Sequence, residues 1–346
     1  MTSSPSATSG APRLALIGCG AIAESFYLPG LAKRPEISSR LVLVDSNIER
    51  ARALASRFSA AGAETDYRAL LGNVEGVIIA VPHHLHYRFA LDFLNAGANV
   101  LCEKPLTESP EEARELIRIS VGRNLTLATN NTRRLFYSSS MVKSLLADGS
   151  LGQVHSITFH EGAEFNWPTT SGFYFNRAIS TKGILLDIGA HVVDLICWWL
   201  GGKPALIESF TDAVGGIEAT VALRLEHGGT SCEVRLSRLT KLSNMFRVEA
   251  ERGSLMGDVY DPLRLRRVDP SGSEQILQIK SKGNTFAGLA QRLVDNFLQS
   301  IAGLEQPLIP AAEVIDSLIL IEEAYHRARP FPMPWYSAQE VRLHAF

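Results

Sequence analysis

An apolar, helix-like segment, Gly183 to Leu200, contains ionisable side chains at spacings that suit proton transfer. Asp187 and His191 lie four residues apart, so the two side chains should share one helical face. Asp194 follows three residues later and could orient the histidine ring. An imidazole titrates near neutral pH, and burial beside a carboxylate can tune its pKa. The pattern predicts an acid–base site, although a histidine buried in the core would give the same pattern.

A glycine-rich turn near the N-terminus fits the G-x-G-x-x-A pattern of a phosphate-binding loop, with the sequence Gly18-Cys19-Gly20-Ala21-Ile22-Ala23. Gly18 allows a tight turn, Gly20 lets the backbone approach a pyrophosphate, and Ala23 permits close packing of helix on strand. The helix N-terminus, at Ala21 and Ile22, supplies N–H groups to the phosphates. The turn predicts a dinucleotide site, and a glycine turn without a ligand is the alternative.

Asp45 ends the second predicted strand, 22 residues after Ala23. A carboxylate at this place accepts a hydrogen bond from the ribose 2′-hydroxyl and would repel a 2′-phosphate, which favours NAD over NADP. Arg50 lies five residues further on and weakens that preference. We therefore expect NAD as the cofactor, with NADP as the less favoured choice.

Short apolar runs alternate with helical patterns between residues 13 and 133. The runs predict strands buried on both faces of a parallel sheet, as in βαβ units. They are Leu14–Ile17, Leu41–Val44, Gly76–Val81, Asn99–Lys104 and Leu125–Asn130, with helix-like segments at Asn47–Phe58 and Pro110–Val121. This pattern predicts a doubly wound Rossmann domain at 13–133, preceded by a flexible tail at 1–12.

The second half has a different pattern. Strand-like runs follow one another with short turns, and His227-Gly228-Gly229 and Glu251-Arg252-Gly253 are hairpin signals. Three helical segments interrupt them, at Gly183–Leu200, Phe286–Ile301 and Ala311–Arg329. We therefore predict an α/β chain whose residues 134–346 form an α+β domain for substrate binding and oligomerisation, with a large, mostly antiparallel sheet.

Composition excludes several classes of function. The 346 residues contain 34 Lys and Arg against 36 Asp and Glu, a balance without a broad footprint for nucleic acid or an acidic membrane. The four cysteines are far apart in the sequence and are expected to be reduced thiols. The first residues lack a signal-peptide pattern. Placing Gly183–Leu200 across a membrane would be too costly in free energy, because the segment contains three ionisable residues, Asp187, His191 and Asp194. These features predict a soluble, cytoplasmic protein.

Three further motifs, in order, resemble those of the Gfo/Idh/MocA family, the relatives of glucose–fructose oxidoreductase and inositol dehydrogenase. They are Ala80-Val81-Pro82-His83-His84-Leu85-His86, Glu103-Lys104-Pro105 and Asp187-Ile188-Gly189-Ala190-His191. The resemblance extends from Arg13 to about Pro330. It implies that Lys104 contacts cofactor and substrate hydroxyl, that His191 is the acid–base, and that Asp187 binds a substrate hydroxyl. It also assigns Pro82, His86 and Glu103 to the cofactor site.

The chain departs from the family pattern before the acidic residue of this helix. Thr181-Lys182-Gly183 replaces a run of three glycines that is common there. Lys182 is expected in solvent, and an inward orientation would favour an anionic substrate. Arg134, where the chain crosses between domains, is predicted to contact substrate, with an interdomain ion pair as the alternative. Tyr174 belongs to an aromatic cluster that forms either a wall of the sugar pocket or part of the core, together with Phe165, Trp167, Phe173 and Phe175.

Together these features predict an NAD-dependent oxidoreductase, a sugar or polyol dehydrogenase or ketoreductase. It would move a hydride between the nicotinamide and a secondary hydroxyl or ketone of a sugar, inositol or sugar derivative, anionic and nucleotide-linked ones included. The alternatives are an NAD-dependent redox glycosidase and a non-catalytic NAD- or sugar-sensing regulator. A homodimer or homotetramer is expected by resemblance. His83, His84 and His86 invite a metal site, but no cysteine is nearby, so we expect none.

Overall fold

The computed structural model describes residues 11–169, 172–180, 182–213, 216–279 and 285–332, except the side chain of Phe175. Nearly all of the expected N-terminal tail, Thr181, and the last part of the second domain lie outside these residues. Within the described chain, no helix is long and apolar enough to cross a membrane.

A parallel six-stranded sheet forms the first half of the chain, with the strand order β3-β2-β1-β4-β5-β6 of a doubly wound fold. The strands are β1 Leu14–Ile17, β2 Leu41–Val44, β3 Gly62–Glu64, β4 Gly76–Ile79, β5 Asn99–Glu103 and β6 Leu127–Asn130. β1, β2 and β4 are buried along their whole length, as their apolar runs predict. The five expected strands are confirmed. β3 was not predicted, because it is an edge strand of only three residues (Gly-Ala-Glu) with weak strand propensity.

The helices of the described chain are α1 Leu28–Leu31, α2 Pro35–Ser38, α3 Ile48–Arg57, α4 His86–Asn95, α5 Pro110–Arg123, α6 Tyr137–Ala147, α7 Ile184–Asp187, α8 Gly189–Leu200, α9 Phe286–Ile301 and α10 Ile315–His326. The helices α3, α5 and α7 to α10 lie on the predicted segments, with shifts at their ends, whereas α1, α2, α4 and α6 had not been predicted. Side-chain caps start three of them, because Asn47, Ser109 and Thr285 each accept a hydrogen bond from a backbone N–H of the first turn. The single helix expected at Gly183–Leu200 is divided into α7 and α8 at Ile188.

The second half builds a nine-stranded sheet of order β14-β13-β12-β11-β7-β10-β9-β8-β15. Its strands are β7 Val154–Gly162, β8 Ala205–Thr211, β9 Thr220–His227, β10 Thr230–Ser237, β11 Met245–Ala250, β12 Gly253–Asp258, β13 Arg264–Val268, β14 Glu274–Gln278 and β15 Arg329–Pro330. Only the pairs β7–β10 and β8–β15 are parallel, so the predicted fold class is confirmed. Both hairpin signals form two-residue turns, between β9 and β10 and between β11 and β12.

The helix-free face of the second sheet carries paired charges. Arg224 contacts Glu208 at 3.3 Å on the next strand, and Arg235 contacts Glu233 at 2.7 Å. A sheet face that is not covered by helices must be polar or covered by a partner. At these strands the open face is polar.

The first hydrophobic core takes in residues from both ends of the chain. The apolar face of α9 contributes Leu289, Leu293 and Phe297, which pack with the strands of the parallel sheet. α8 and α10 instead cover one face of the nine-stranded sheet. The first sheet ends with β6 at Asn130 and the second begins with β7 at Val154, while α9 returns to complete the core of the first. The domain boundary at 133/134 stays a prediction.

Replacing Phe297 by Ala should lower the free energy of unfolding by about 3–5 kcal/mol, because the ring is only 1% exposed and its loss leaves a cavity. Urea denaturation followed by circular dichroism measures the change. Leu304→Ala is the control, since Leu304 is 72% exposed and should cost less than about 0.5 kcal/mol. Equal effects of the two substitutions would show that α9 is not part of this core.

Candidate active site

The glycine-rich turn follows β1 and has the geometry of a dinucleotide cradle. Gly18 has φ +94°, and a Cβ there would overlap the carbonyl oxygen of Ala80 at the end of β4. A Cβ at Gly20 would meet no protein atom within 4 Å, so the space above the turn is open. Ala21 and Ile22 are the first helical residues behind the turn. These residues fit the pyrophosphate of a dinucleotide.

Asp45 stands beside this turn, at the end of β2. Its Oδ2 accepts a hydrogen bond from the Cys19 N–H at 2.8 Å, and its Oδ1 accepts one from the Asn47 N–H at 2.8 Å. Arg50 donates to the carbonyl oxygen of Cys19 and contacts Glu24 at 3.0 Å. Backbone N–H groups thus hold both oxygens of Asp45, and the carboxylate of Glu24 compensates the charge of Arg50.

His86 connects the ends of β4 and β5. Its Nδ1 lies 2.6 Å from the carbonyl oxygen of Pro105, and its Nε2 lies 2.9 Å from that of Val81. Burial lowers the pKa of His86 to about 4, so the ring is neutral at pH 7 and donates to one carbonyl at a time. Pro82 precedes it in the same loop, immediately before a short 3₁₀ turn. The ring of His86 therefore links the two loops at the carboxyl edge of the sheet, and the predicted cofactor contacts of Pro82 and His86 stay predictions.

Glu103 is buried at the end of β5 and faces the first core. Its Oε1 accepts hydrogen bonds from Tyr27 Oη at 2.8 Å and from Asn130 Nδ2 at 2.6 Å. Burial raises its pKa, against the effect of these hydrogen bonds. Lys104 follows Glu103 in the chain, and the peptide bond between Lys104 and Pro105 is cis. The side chain of Glu103 thus lies against the first core, whereas that of Lys104 lies between the two domains.

Lys104 and Asp187 meet across the two domains. The ammonium of Lys104 forms an ion pair with Asp187 Oδ1 and donates to the Asp187 carbonyl oxygen at 3.0 Å. Arg238, just past the end of β10, contacts Asp187 Oδ2 at 2.6 Å. Burial alone would raise the pKa of Asp187, but the charges of Lys104 and Arg238 hold it well below its ordinary value. Asp187 is therefore an anion shared by two cations.

The sequence analysis did not find Arg238. Its guanidinium lies over the rings of Phe165 and Tyr174, with its carbon 5.3 Å from each ring centroid. Tyr174 thus lies beside the arginine that contacts Asp187, and its predicted contact with substrate stays a prediction. Burial raises the pKa of Tyr174, so its hydroxyl stays protonated. No local motif marks Arg238, since it follows an ordinary amphipathic strand.

His191 lies near this group but does not hydrogen-bond to Asp187. Its Nδ1 is buried and has no hydrogen-bond partner among the described residues. Burial, followed by the charges of Arg133 and Lys104, lowers the pKa of His191 well below its ordinary value. Arg133 itself is paired with Glu161 through two contacts of 2.5 and 2.7 Å. The imidazole is therefore neutral, with an unused nitrogen.

Arg134 lies elsewhere, which corrects two expectations. Its guanidinium binds both oxygens of Asp194 at 2.7 and 2.8 Å, and it contacts Glu313 at 2.7 Å. The side chain of Arg134 is nearly inaccessible, so the structure does not support a contact with substrate and supports the alternative, an ion pair at the domain junction. Asp194 is used in that pair and does not orient the ring of His191.

The start of α7 is anchored by a buried carboxylate. Glu218 accepts hydrogen bonds from the N–H groups of Gly183 at 2.9 Å and Leu185 at 3.1 Å, and from Tyr325 Oη at 2.5 Å. A Cβ on Gly183 would overlap the carbonyl oxygen of Glu218. This contact explains why the last glycine of the family pattern is kept here. It also fixes the turn of helix that carries Asp187.

Lys182 is neither free in solvent nor directed at Asp187. Its ammonium donates to the carbonyl oxygen of Glu108 at 2.5 Å and lies 5.5 Å from the ring centroid of Tyr325. It links the approach to α7 with the loop that follows Lys104. The inward orientation that would have favoured an anionic substrate is thus absent.

The histidine loop does not assemble a metal site among the described residues. His83 packs edge-on against Phe173 and His86, with ring centroids 5.3 and 5.7 Å away. The described part of the chain contains no group of three His, Cys, Asp or Glu side chains that could hold a metal ion. His83 is instead a buried neighbour of the Lys104–Asp187 pair, and burial lowers its pKa.

Comparisons with known proteins agree with this fold. A family model described as "Oxidoreductase family, NAD-binding Rossmann fold" matches residues 12–131, and the "GFO/IDH/MocA C-terminal domain" matches 140–256. D-glucoside 3-dehydrogenase of Escherichia coli is 30% identical over 58% of this chain and 56% of its own length. Trans-1,2-dihydrobenzene-1,2-diol dehydrogenase of Oryctolagus cuniculus is 30% identical over 86% of this chain and 93% of its own.

Solved structures show the same fold at lower identity. A levoglucosan dehydrogenase, in a complex with NADH and levoglucosan, superposes with a TM-score of 0.79 at 20% identity. The superposition covers 90% of this chain and 95% of that one. Complexes of this fold contain NADH in one case and NADP in another, so an NAD(P)-binding fold is established and the choice between the two cofactors is not.

Asp194→Asn should lower the free energy of unfolding by about 3–5 kcal/mol, because it leaves the charge of Arg134 buried without its main partner. Glu313→Gln is the matched control: Glu313 contacts the same guanidinium but is half exposed, so less than about 1 kcal/mol is expected. Thermal and urea unfolding of both variants give the comparison. A loss at Asp194 no larger than at Glu313 would contradict a buried interdomain pair.

Stability should fall as the pH drops from 6.5 to 4. In the folded state His86 stays neutral down to its pKa of about 4. In the unfolded state the imidazole takes up a proton near pH 6.5, so the unfolded state is stabilised below that pH. The loss from this residue is about 3 kcal/mol. His86→Gln should reduce the pH dependence of the unfolding free energy, whereas the exposed control His155→Gln should not. Identical slopes for both variants and the wild type would refute the assignment.

Proposed function

The chain belongs to the Gfo/Idh/MocA family of oxidoreductases, and on this premise we propose that it is an NAD-dependent dehydrogenase or ketoreductase of sugars, inositols or their derivatives. The reaction is hydride transfer at a secondary hydroxyl or its ketone. The observation that carries the proposal is the ion pair of Lys104 with Asp187, which joins the two domains at the carboxyl edge of the parallel sheet.

NAD, when bound, supplies the hydride acceptor or donor. On this proposal, Gly18, Gly20, Ala21 and Ile22 hold its pyrophosphate through backbone N–H groups, and Asp45 accepts from the ribose. Glu24 supports the preference for NAD over NADP, because it compensates the charge of Arg50, which a 2′-phosphate would otherwise use.

Three side chains divide the proton chemistry on this proposal. His191 is held neutral by burial and by the charge of Arg133, so it can accept the hydroxyl proton during oxidation and return it during reduction. Lys104 donates a hydrogen bond to the reacting oxygen and stabilises negative charge there. Asp187 orients the Lys104 ammonium and offers its remaining lone pairs to a second substrate hydroxyl.

His191→Ala should lower kcat/KM by about two to four orders of magnitude while leaving NAD binding intact, since the general acid–base is lost. The assay follows NADH absorbance with NAD and a panel of polyols, free sugars, uronates and nucleotide sugars. His155→Ala, on an exposed part of β7, is the control. The acidic limb of the wild-type profile should lie below pH 6.5, because the pKa of His191 is lowered.

Other outcomes would change the assignment. Activity of His191→Ala equal to that of the wild type would remove His191 from the mechanism. Release of free sugar from a glycoside without net NADH would identify a redox glycosidase. NAD binding without turnover of any member of the panel would identify a regulator.

A further inference from the structure

Arg238 brings a second cation into the site, and most of its hydrogen-bonding capacity is unused. The side chain is 7% exposed, and one Nη2–H donates to Asp187. A guanidinium has five N–H donors, and the others have no hydrogen-bond partner among the described residues. The rings of Phe165 and Tyr174 hold the planar group in place. It is thus an oriented cation with donors free for a ligand.

Asp187 is shared by two cations. Lys104 pairs with one of its oxygens and Arg238 with the other, so a single carboxylate faces both. The two histidines beside them, His83 and His191, are neutral at pH 7 because their pKa values are lowered. Arg238 thus has no carboxylate of its own, and its remaining donors suit an anionic group.

The neighbouring carboxylates do not contact Arg238. Glu103 turns into the first core, where Tyr27 and Asn130 donate to it, and the charge of Lys104 acts on it. Glu161 is paired with Arg133 through two contacts. Neither forms a hydrogen bond or an ion pair with Arg238. The remaining donors of Arg238 are therefore expected to bind the substrate.

We propose that the substrate is a sugar acid whose carboxylate binds Arg238 and lies on the same small skeleton as the reacting hydroxyl. This proposal rests on the proposed function and narrows its substrate class. A guanidinium fork matches the planar carboxylate in shape and charge. Because Lys104 and Arg238 bind opposite oxygens of one carboxylate group, the two cations are close neighbours. A carboxylate at Arg238 therefore lies close to the oxygen that Lys104 contacts.

The first test compares each acid with its own methyl ester, which keeps the shape and removes the charge. D-galacturonate, D-glucuronate and their methyl esters are assayed with NAD, and galactose, glucose and myo-inositol serve as neutral references. We expect kcat/KM to be about 10- to 100-fold higher for an acid than for its ester, the usual effect of a charge-assisted hydrogen bond. The second readout is the thermal shift of the protein with acid or ester in the absence of NAD.

Variants assign the preference to Arg238. Arg238→Gln should abolish the advantage of acid over ester in both readouts, and Arg238→Lys should restore part of it. Arg235→Gln is the matched control, because Arg235 lies on the same strand, β10, with its side chain exposed on the open face. That variant should keep the full preference.

The outcomes separate this proposal from the function on which it rests. Turnover of neutral sugars with no preference for an acid over its ester keeps the dehydrogenase and overturns the sugar-acid assignment. If Arg238→Gln lowers kcat/KM equally for acid and ester, Arg238 only positions Asp187, and the sugar-acid assignment is overturned. If no compound yields NADH although NAD binds, the proposed function fails, and the acid-specific thermal shift still decides whether the site takes a carboxylate. If Arg238→Gln does not fold, the wild-type comparison and Arg238→Lys decide.

Discussion

The carboxylate of Asp187 is the point on which the site depends. It draws Lys104 from the end of a parallel strand and Arg238 from the end of a strand in the other sheet onto one anion. Removing three charges from water is costly, and mutual attraction offsets that cost only if the geometry is well held. The rest of the structure can therefore be understood by asking what keeps these three side chains together. The support comes from both domains.

Two buried carboxylates provide much of this support. Glu218 binds the first N–H groups of α7, so the turn carrying Asp187 starts at a fixed place and direction. Asp194, further along the continuing helix, binds Arg134 from the chain that crosses between the domains. The helix is thus held at its beginning by the second domain and further along by the junction. A residue without a role in the chemistry, such as Arg134, can therefore control the position of one that has a role.

The sequence predicted what depends on local rules and missed what depends on long-range contact. Strands such as β1 and β4 are short apolar runs, and the Gly18–Ala23 turn is defined by the backbone needs of consecutive residues, so both were predictable. Arg238 could not be found, because it lies 51 residues from Asp187 and only the packing of β10 beside α7 brings them together. Arg133 and Arg134 are adjacent in a 3₁₀ turn, and Arg134 was predicted to face the site, whereas Arg133 is the one whose charge acts on His191.

The same long-range packing determines the protonation state of His191. Arg133 is neutralised by Glu161 as a pair, yet its guanidinium still acts on the imidazole and, with burial, keeps it neutral. Lys104 remains close by with its charge compensated by Asp187. Because the neutral imidazole and the paired ammonium lie side by side, the imidazole can take the proton while the ammonium stabilises the developing oxyanion. That division of labour also depends on Glu161: if it were lost, the charge of Arg133 would be unpaired and would lower the basicity of His191 further.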